Sequence, residues 1–173
     1  MAITYHDLYL KTRMALSSAG IEAAQLEARE ILCAAAEKTA EELYRDISLY
    51  TTDAIAEKTE ALQARRLAGE PIAYLLGEWS FCGLPFFVSP AALIPRVDTE
   101  MLAQLAMNRL KEHPGHTRIL DLCAGTGCVG LTAAALLKNT RAVLVDLSDG
   151  ALDLCKRNIR RHKLTGRAVS LKG

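Results

Sequence analysis

The chain is 173 residues long, enough for one ordinary domain or two small ones, and half of its residues are hydrophobic, which excludes a disordered chain. Its 21 basic and 20 acidic residues leave a net charge of +1, without the strong positive field of a dedicated nucleic-acid binder. The 5 cysteines, an odd count with no C-x-x-C pair, argue against a disulfide framework or a zinc ribbon and for reduced thiols in a cytoplasmic protein.

The start, Met1-Ala-Ile-Thr-Tyr-His-Asp7, has no basic stretch leading into an apolar run, so no signal peptide is expected. Residues 1 to about 69 read as helical, with no proline before Pro71. Ile21, Ala24, Ala28, Ile31, Leu32 and Ala35 share one helical face, with Glu22, Gln25, Glu27, Arg29 and Glu30 largely elsewhere. Thr51-Thr52-Asp53 opens a further helix through Ile55, Thr59 and Leu62 that ends near Gly69. The paired Arg65 and Arg66 near its end are read as solvated or as partners of the helix dipole. A compact helical domain over 1–70 is predicted.

From Glu70 the composition changes. Pro71, Gly77, Gly83, Pro85, Pro90 and Pro95 punctuate the short runs Trp79-Ser-Phe81 and Phe86-Phe-Val88, which suit a β-hairpin linker over 71–97. Trp79, Phe81 and Phe86 are expected to pack this linker against a neighbouring domain. A helix follows, capped by Asp98 or Thr99, with Glu100 in its first turn, Met101, Leu102, Leu105 and Leu110 on its apolar side, and Pro114-Gly115 at its end. Strand, helix, strand and helix then alternate over 117–122, 127–138, 141–146 and 149–163, and a last strand begins near Arg167. That alternation is the pattern of an open α/β sheet. The longest uncharged stretch, Leu122 to Leu137, is too short and too glycine-rich to span a bilayer, so no membrane segment is expected.

The chemistry concentrates where the first of these strands enters its helix, at Cys123-Ala-Gly-Thr-Gly127. A ligand approaches backbone closely only where side chains are small, and the helix that follows presents unpaired N–H groups to an anionic group such as a carboxylate. Asp146 ends the next strand, nineteen residues after Gly127, the spacing at which a strand-end carboxylate grips the ribose hydroxyls of a nucleoside lying over the turn. Chance α/β packing with an incidental acid is the plainer alternative. Asp121 either holds the loop through its N–H groups or meets a cationic ligand group. Cys123 and Cys128 lack a partner histidine and are read as small loop-lining residues, with no metal site. Arg96, Asp98 and Glu100 place three charges at one turn.

Four segments now stand in order: Gly69-Glu-Pro-Ile-Ala-Tyr-Leu75, Gly77-x-x-x-Phe81, Leu93-Ile-Pro-Arg-x-Asp-Thr-Glu100 and Ile119-Leu-Asp-Leu-x-x-Gly-x-Gly-Cys128. Together they resemble the HemK/PrmC family, the N5-glutamine methyltransferases of peptide chain release factors. The likeness runs in detail over about residues 65 to 173. It implies an α/β protein with a helical N-terminal domain, a β-hairpin linker, and the first half of a Rossmann-like class I methyltransferase sheet over 98–173. It implies S-adenosyl-L-methionine as cofactor, with Cys123, Ala124, Gly125, Thr126 and Gly127 along its methionine side, Asp121 beside them and Asp146 on the ribose. Arg96, Asp98, Thr99 and Glu100 would rim the active site. The implied partner is a release factor, methylated on the glutamine of its Gly-Gly-Gln motif and docked by the helical domain and linker, with no direct nucleic-acid contact and no membrane. The chain departs from the family at Cys123, where the family has glycine, and at Val97, often proline.

The family's catalytic Asn-Pro-Pro-Tyr, whose asparagine and a proline carbonyl hold the glutamine amide, occurs nowhere in these residues. The chain is therefore expected to carry about half of the cofactor site and no amide clamp, and to methylate nothing by itself. A half sheet would also leave an unpaired strand edge and uncovered apolar helix faces, inviting aggregation or pairing. Competing readings are a non-catalytic protein-binding module and a fragment of an adenine-N6 methyltransferase, which applies a similar clamp to a flipped base. A nicotinamide dehydrogenase fits least, because the turn lacks a full G-x-G-x-x-G.

Overall fold

The computed structural model describes residues 3–113 and 115–173, so the readings that fall on Met1, Ala2 and Pro114 lie outside the described residues. The chain divides into two compact units, Met1–Leu76 and Gly77–Gly173. No helix among the described residues is long and apolar enough to cross a membrane.

The first unit is five helices: α1 (Tyr5–Ser18), α2 (Ala24–Ala36), α3 (Ala40–Arg45), α4 (Asp53–Leu67) and α5 (Ile72–Leu76). Three starts are fixed by threonine caps, each accepting a hydrogen bond from an otherwise orphaned N–H: Thr4 from Asp7, Thr39 from Glu42 and Thr52 from Ile55. At α3 the Glu42 carboxylate in turn accepts from the Thr39 N–H, a reciprocal capping box. The predicted apolar stripe of α2 is buried from Ala24 to Ala35, while Ile21 precedes the helix and is half-buried. Glu27 is the exception to the polar side. It is buried and paired with Arg66 of α4 through two hydrogen bonds, Nε to Oε2 at 2.6 Å and Nη2 to Oε1 at 3.2 Å. Arg66 thus pins α4 to α2 rather than answering the helix dipole, a fork-to-carboxylate geometry worth more than a solvated surface pair.

The second unit opens with a hairpin, β1 (Glu78–Phe81) and β2 (Leu84–Phe87), paired antiparallel. Its two-residue loop, Cys82-Gly83, has positive φ at both positions, +50° and +74°, as a type I′ turn requires to match the strand twist. Phe81 and Phe86 meet edge to face at 6.1 Å and lie in the core of this same unit with Ala103, Leu131 and Leu144, whereas Trp79 stays on the surface. The stretch set apart by composition as 71–97 is thus divided after Leu76, with the hairpin on the side of the sheet.

Helix α6 (Val97–Lys111) follows. Its N-cap is Arg96, without a side-chain capping bond, so neither Asp98 nor Thr99 caps it; both lie inside its first turn. Its buried side is Ala103 and Met107, while Met101, Leu102 and Leu105, expected to face a core, are 57–69% exposed. Then β3 (Thr117–Leu122), α7 (Cys128–Leu136), β4 (Thr140–Asp146), α8 (Asp149–Arg161) and β5 (Ala168–Lys172) alternate as predicted. The three strands are parallel, in the order β3-β4-β5. Both crossover helices pack on the face carrying Ile119, Ala142, Leu144 and Ala168. The last turn of α7 is closed by a side chain from outside it: the Arg167 guanidinium reaches the carbonyls of Ala134 at 2.8 Å and Lys138 at 3.0 Å, satisfying acceptors the helix end leaves open.

Candidate functional site

The C-terminal ends of β3 and β4 meet at the small-residue turn, as strand ends do at ligand crevices in open α/β sheets. The turn needs left-handed backbone at three places: Cys123 (φ +58°), Gly125 (φ +55°) and Gly127 (φ +77°). Glycine takes that conformation freely, but a side chain at Cys123 adds strain of about 1 kcal/mol. Position 127 needs glycine twice over, because a Cβ there would stand 2.9 Å from Leu144 Cδ1. Over Gly125 the nearest atom to a built Cβ is the Ala92 methyl at 3.7 Å, so the segment joining the hairpin to α6 runs beside the turn.

Polar groups tie the turn on several sides. Asp146 Oδ2 accepts from the Gly125 N–H at 2.8 Å and Oδ1 from the Ser148 N–H at 2.9 Å, so one carboxylate joins the turn to the start of α8. Asp121 Oδ2 accepts from the Gly130 N–H at 2.8 Å in the first turn of α7. Burial raises the Asp121 pKa, opposed by that hydrogen bond and reinforced by the nearby Asp146. The N–H that Asp121 accepts from belongs to α7 rather than to the loop at 123–127. The thiols of Cys128 and Cys155 are pushed up to about 11 and about 12 by burial, so both remain protonated and unreactive, while Cys123 is exposed. Among the described residues no group of three or more His, Cys, Asp or Glu side chains is arranged to hold a metal ion.

The charged cluster at 96–100 divides. Glu100 turns back to the hairpin, its Oε1 accepting from the Cys82 N–H at 2.7 Å, which steadies the I′ turn. Arg96 and Asp98 are exposed and Thr99 is half-buried at the start of α6. Two residues not singled out by sequence stand on α8, three apart: Cys155, whose Sγ donates to the Gly125 carbonyl at 3.2 Å, and Asn158, whose Nδ2 donates to the Thr126 carbonyl at 2.9 Å. The signal for Asn158 was a lone amide within the apolar stripe Ala151, Leu152, Leu154, Cys155 and Ile159.

A three-stranded parallel sheet, its two crossover helices on one face, and a small-residue turn beside a strand-end acid define a Rossmann-like α/β domain, here preceded by a helical unit. Residues 96–172 match the methyltransferase small domain, and residues 7–77 match the PrmC N-terminal domain. The chain belongs to the PrmC family. A release factor glutamine methyltransferase of Nitratidesulfovibrio vulgaris is 35% identical over 175 residues, covering 98% of this chain and 57% of that protein. One of Aliivibrio fischeri is 36% identical over 92% of this chain and 56% of its own length, and one of Escherichia coli K12 is 47% identical over 62% of this chain and 38% of its own. The chain thus spans about half the length of the curated relatives it matches.

Proposed function

We propose that the turn from Cys123 to Gly127 and the Asp146 carboxylate bind S-adenosylmethionine, and that the chain supplies the cofactor half of an enzyme acting in the cytoplasm on peptide chain release factors. The reaction is methylation of the side-chain amide of the glutamine in their Gly-Gly-Gln motif. The observation that carries this reading is Asp146. It sits at the end of β4 within hydrogen-bond reach of the turn, and each of its oxygens, though engaged by one N–H, keeps acceptor capacity for a ribose hydroxyl. The turn also fits the group. Above Gly125 only a methyl approaches, and the Thr126 N–H makes no hydrogen bond among the described residues, leaving it to a ligand carboxylate.

When bound, the cofactor supplies an electrophilic methyl group. The chain's own part is to hold it: Asp146 at the ribose, residues 123–127 along the methionine side, and Arg96, Asp98 and Thr99 at the rim where the protein substrate would enter. The helical unit serves docking of the release factor. No Asn-Pro-Pro-Tyr clamp lies in these 173 residues, so the chain by itself transfers no methyl group.

Calorimetric titration with S-adenosylhomocysteine tests the cofactor assignment. Binding is expected, weakened about tenfold or more in Asp146→Asn, because an amide cannot accept from both N–H groups and a ribose hydroxyl. Silence at millimolar ligand, or binding of NADH in its place, would sink the reading. Methyl transfer from labelled cofactor to a release factor by this chain alone would contradict the account of the missing clamp.

A further inference from the structure

Helix α8 makes an unusual set of contacts with backbone it does not belong to. Asn158 is fully buried and uses both ends of its amide. Its Nδ2 donates to the Thr126 carbonyl at 2.9 Å and to the Phe87 carbonyl at 3.1 Å, while its Oδ1 accepts from the Phe87 N–H at 2.8 Å. Phe87, paired with Glu78 of β1 on one side, is met on its outer side by this amide as it would be by a further strand. One turn earlier, Cys155 is also fully buried, and its Sγ donates to the Gly125 carbonyl at 3.2 Å.

The consequence lies in peptide geometry. A trans peptide is planar, and its N–H points opposite to its C=O. Holding the Gly125 carbonyl toward Cys155 therefore directs the Thr126 N–H away from α8, and holding the Thr126 carbonyl toward Asn158 fixes the next plane. Three neighbouring N–H groups are already committed: Ala124 to the Val145 carbonyl, Gly125 to Asp146, and Gly127 to the Ala124 carbonyl. Among the described residues the Cys123 and Thr126 N–H groups of this turn form no hydrogen bond, and α8 sets the direction of the one at Thr126.

We infer that Asn158 and Cys155 are positioning residues for the cofactor turn: they fix two consecutive peptide planes, present the Thr126 N–H to the bound ligand, and, through Phe87, couple the turn to the hairpin. This rests on the cofactor reading above for the identity of the ligand, but the coupling itself is a property of the ligand-free chain. The raised pKa of Cys155 agrees with it, since a thiol that stays protonated remains a donor. An amide buried on the apolar stripe of α8 is costly unless its polar atoms are paired, and its three bonds meet that need.

Amide exchange by NMR and titration with S-adenosylhomocysteine, on the whole chain, test this together. Asn158→Asp keeps the shape and the acceptor but removes both donors. It should speed exchange at the hydrogen-bonded amides of Gly127 and Phe87 by about tenfold or more relative to β4 amides, and weaken ligand binding by a similar factor. Cys155→Ala should speed exchange at Gly127, and Cys155→Ser, which restores a donor, should recover wild-type exchange and affinity. In the wild type the ligand should also slow exchange at Phe87, and in Asn158→Asp it should not, because coupling between two sites is reciprocal. A role confined to global stability would raise exchange evenly across the sheet and would leave Cys155→Ser no better than Cys155→Ala; either result overturns the inference. If the wild type binds no S-adenosylhomocysteine, the cofactor reading fails, while exchange at Gly127 and Phe87 still decides whether α8 holds the turn.

Discussion

On one face of the sheet Ile119, Ala142 and Ala168 lie side by side across β3, β4 and β5, with Leu144 beyond them, beneath α7 and α8. On the other face two rows of three run across the same strands, Leu120, Val143 and Val169, then Leu122, Val145 and Leu171. Leu144 is 0% exposed, while Leu120 and Leu122 are 60% and 64% exposed. The residue types scarcely differ, and β4 reads as the continuous apolar run of a parallel strand buried on both sides. Hydrophobicity therefore says that a strand wants cover; which face receives it depends on where the crossover helices return. Among the described residues both return to one side.

The sharpest way to break this comparison is a pair of substitutions at adjacent positions on β4. Leu144→Ala should cost about 3 kcal/mol, because the cavity opens under two helices, whereas Val143→Ala, half-buried on the other face, should cost less than about 1 kcal/mol. Equal losses in denaturant melts would show that both faces are packed. Next in size is Gly130→Ala on α7. A Cβ there would stand 2.6 Å from Leu144 Cδ2 and 3.2 Å from Asp121, so the covered face should lose about 2 kcal/mol through overpacking, again read by denaturant melts.

A smaller effect should appear with pH. Burial raises the pKa of Asp121 on the covered face, so the folded chain holds that proton more tightly than the unfolded chain. The contribution is fully present below the ordinary aspartate range and is lost as pH rises through the folded value. Asp121→Asn, whose side-chain oxygen still accepts from the Gly130 N–H, should gain on the wild type as pH rises through that window and lose the advantage below it. Parallel stability curves for the two proteins would remove burial as the cause. The smallest expected change in stability is on the bare face: Leu122→Lys should stay within about 0.5 kcal/mol of the wild type. It should nevertheless cut binding of a hydrophobic dye and concentration-dependent light scattering, since a charge blunts an exposed apolar strand.

Much of this arrangement was legible along the chain. The β-α-β-α alternation, the Thr52 cap and the position of Asp146 beside the turn follow from patterns a few residues long, and such patterns reflect backbone geometry that holds wherever the segment lies. Periodicity alone selects the wrong side of α6, because Met101, Leu102 and Leu105 match a helical period as well as the true inner side, Ala103 and Met107. Small residues let α6 approach its neighbours closely, which a hydrophobicity pattern undervalues. Glu27 reads as a polar-side residue because its partner, Arg66, lies 39 residues away.

By itself the sequence determined the helical character of the first part, the open α/β order of the second, and the turn and acid at its strand ends, since each depends on local periodicity, turn chemistry and spacing along one segment. Only the tertiary structure decided which face of the sheet is covered, that Glu100 serves the hairpin, and that Asn158 and Cys155 hold the turn. Those outcomes join residues 18 to 71 positions apart, and contacts at that range depend on how elements pack rather than on what any one segment prefers.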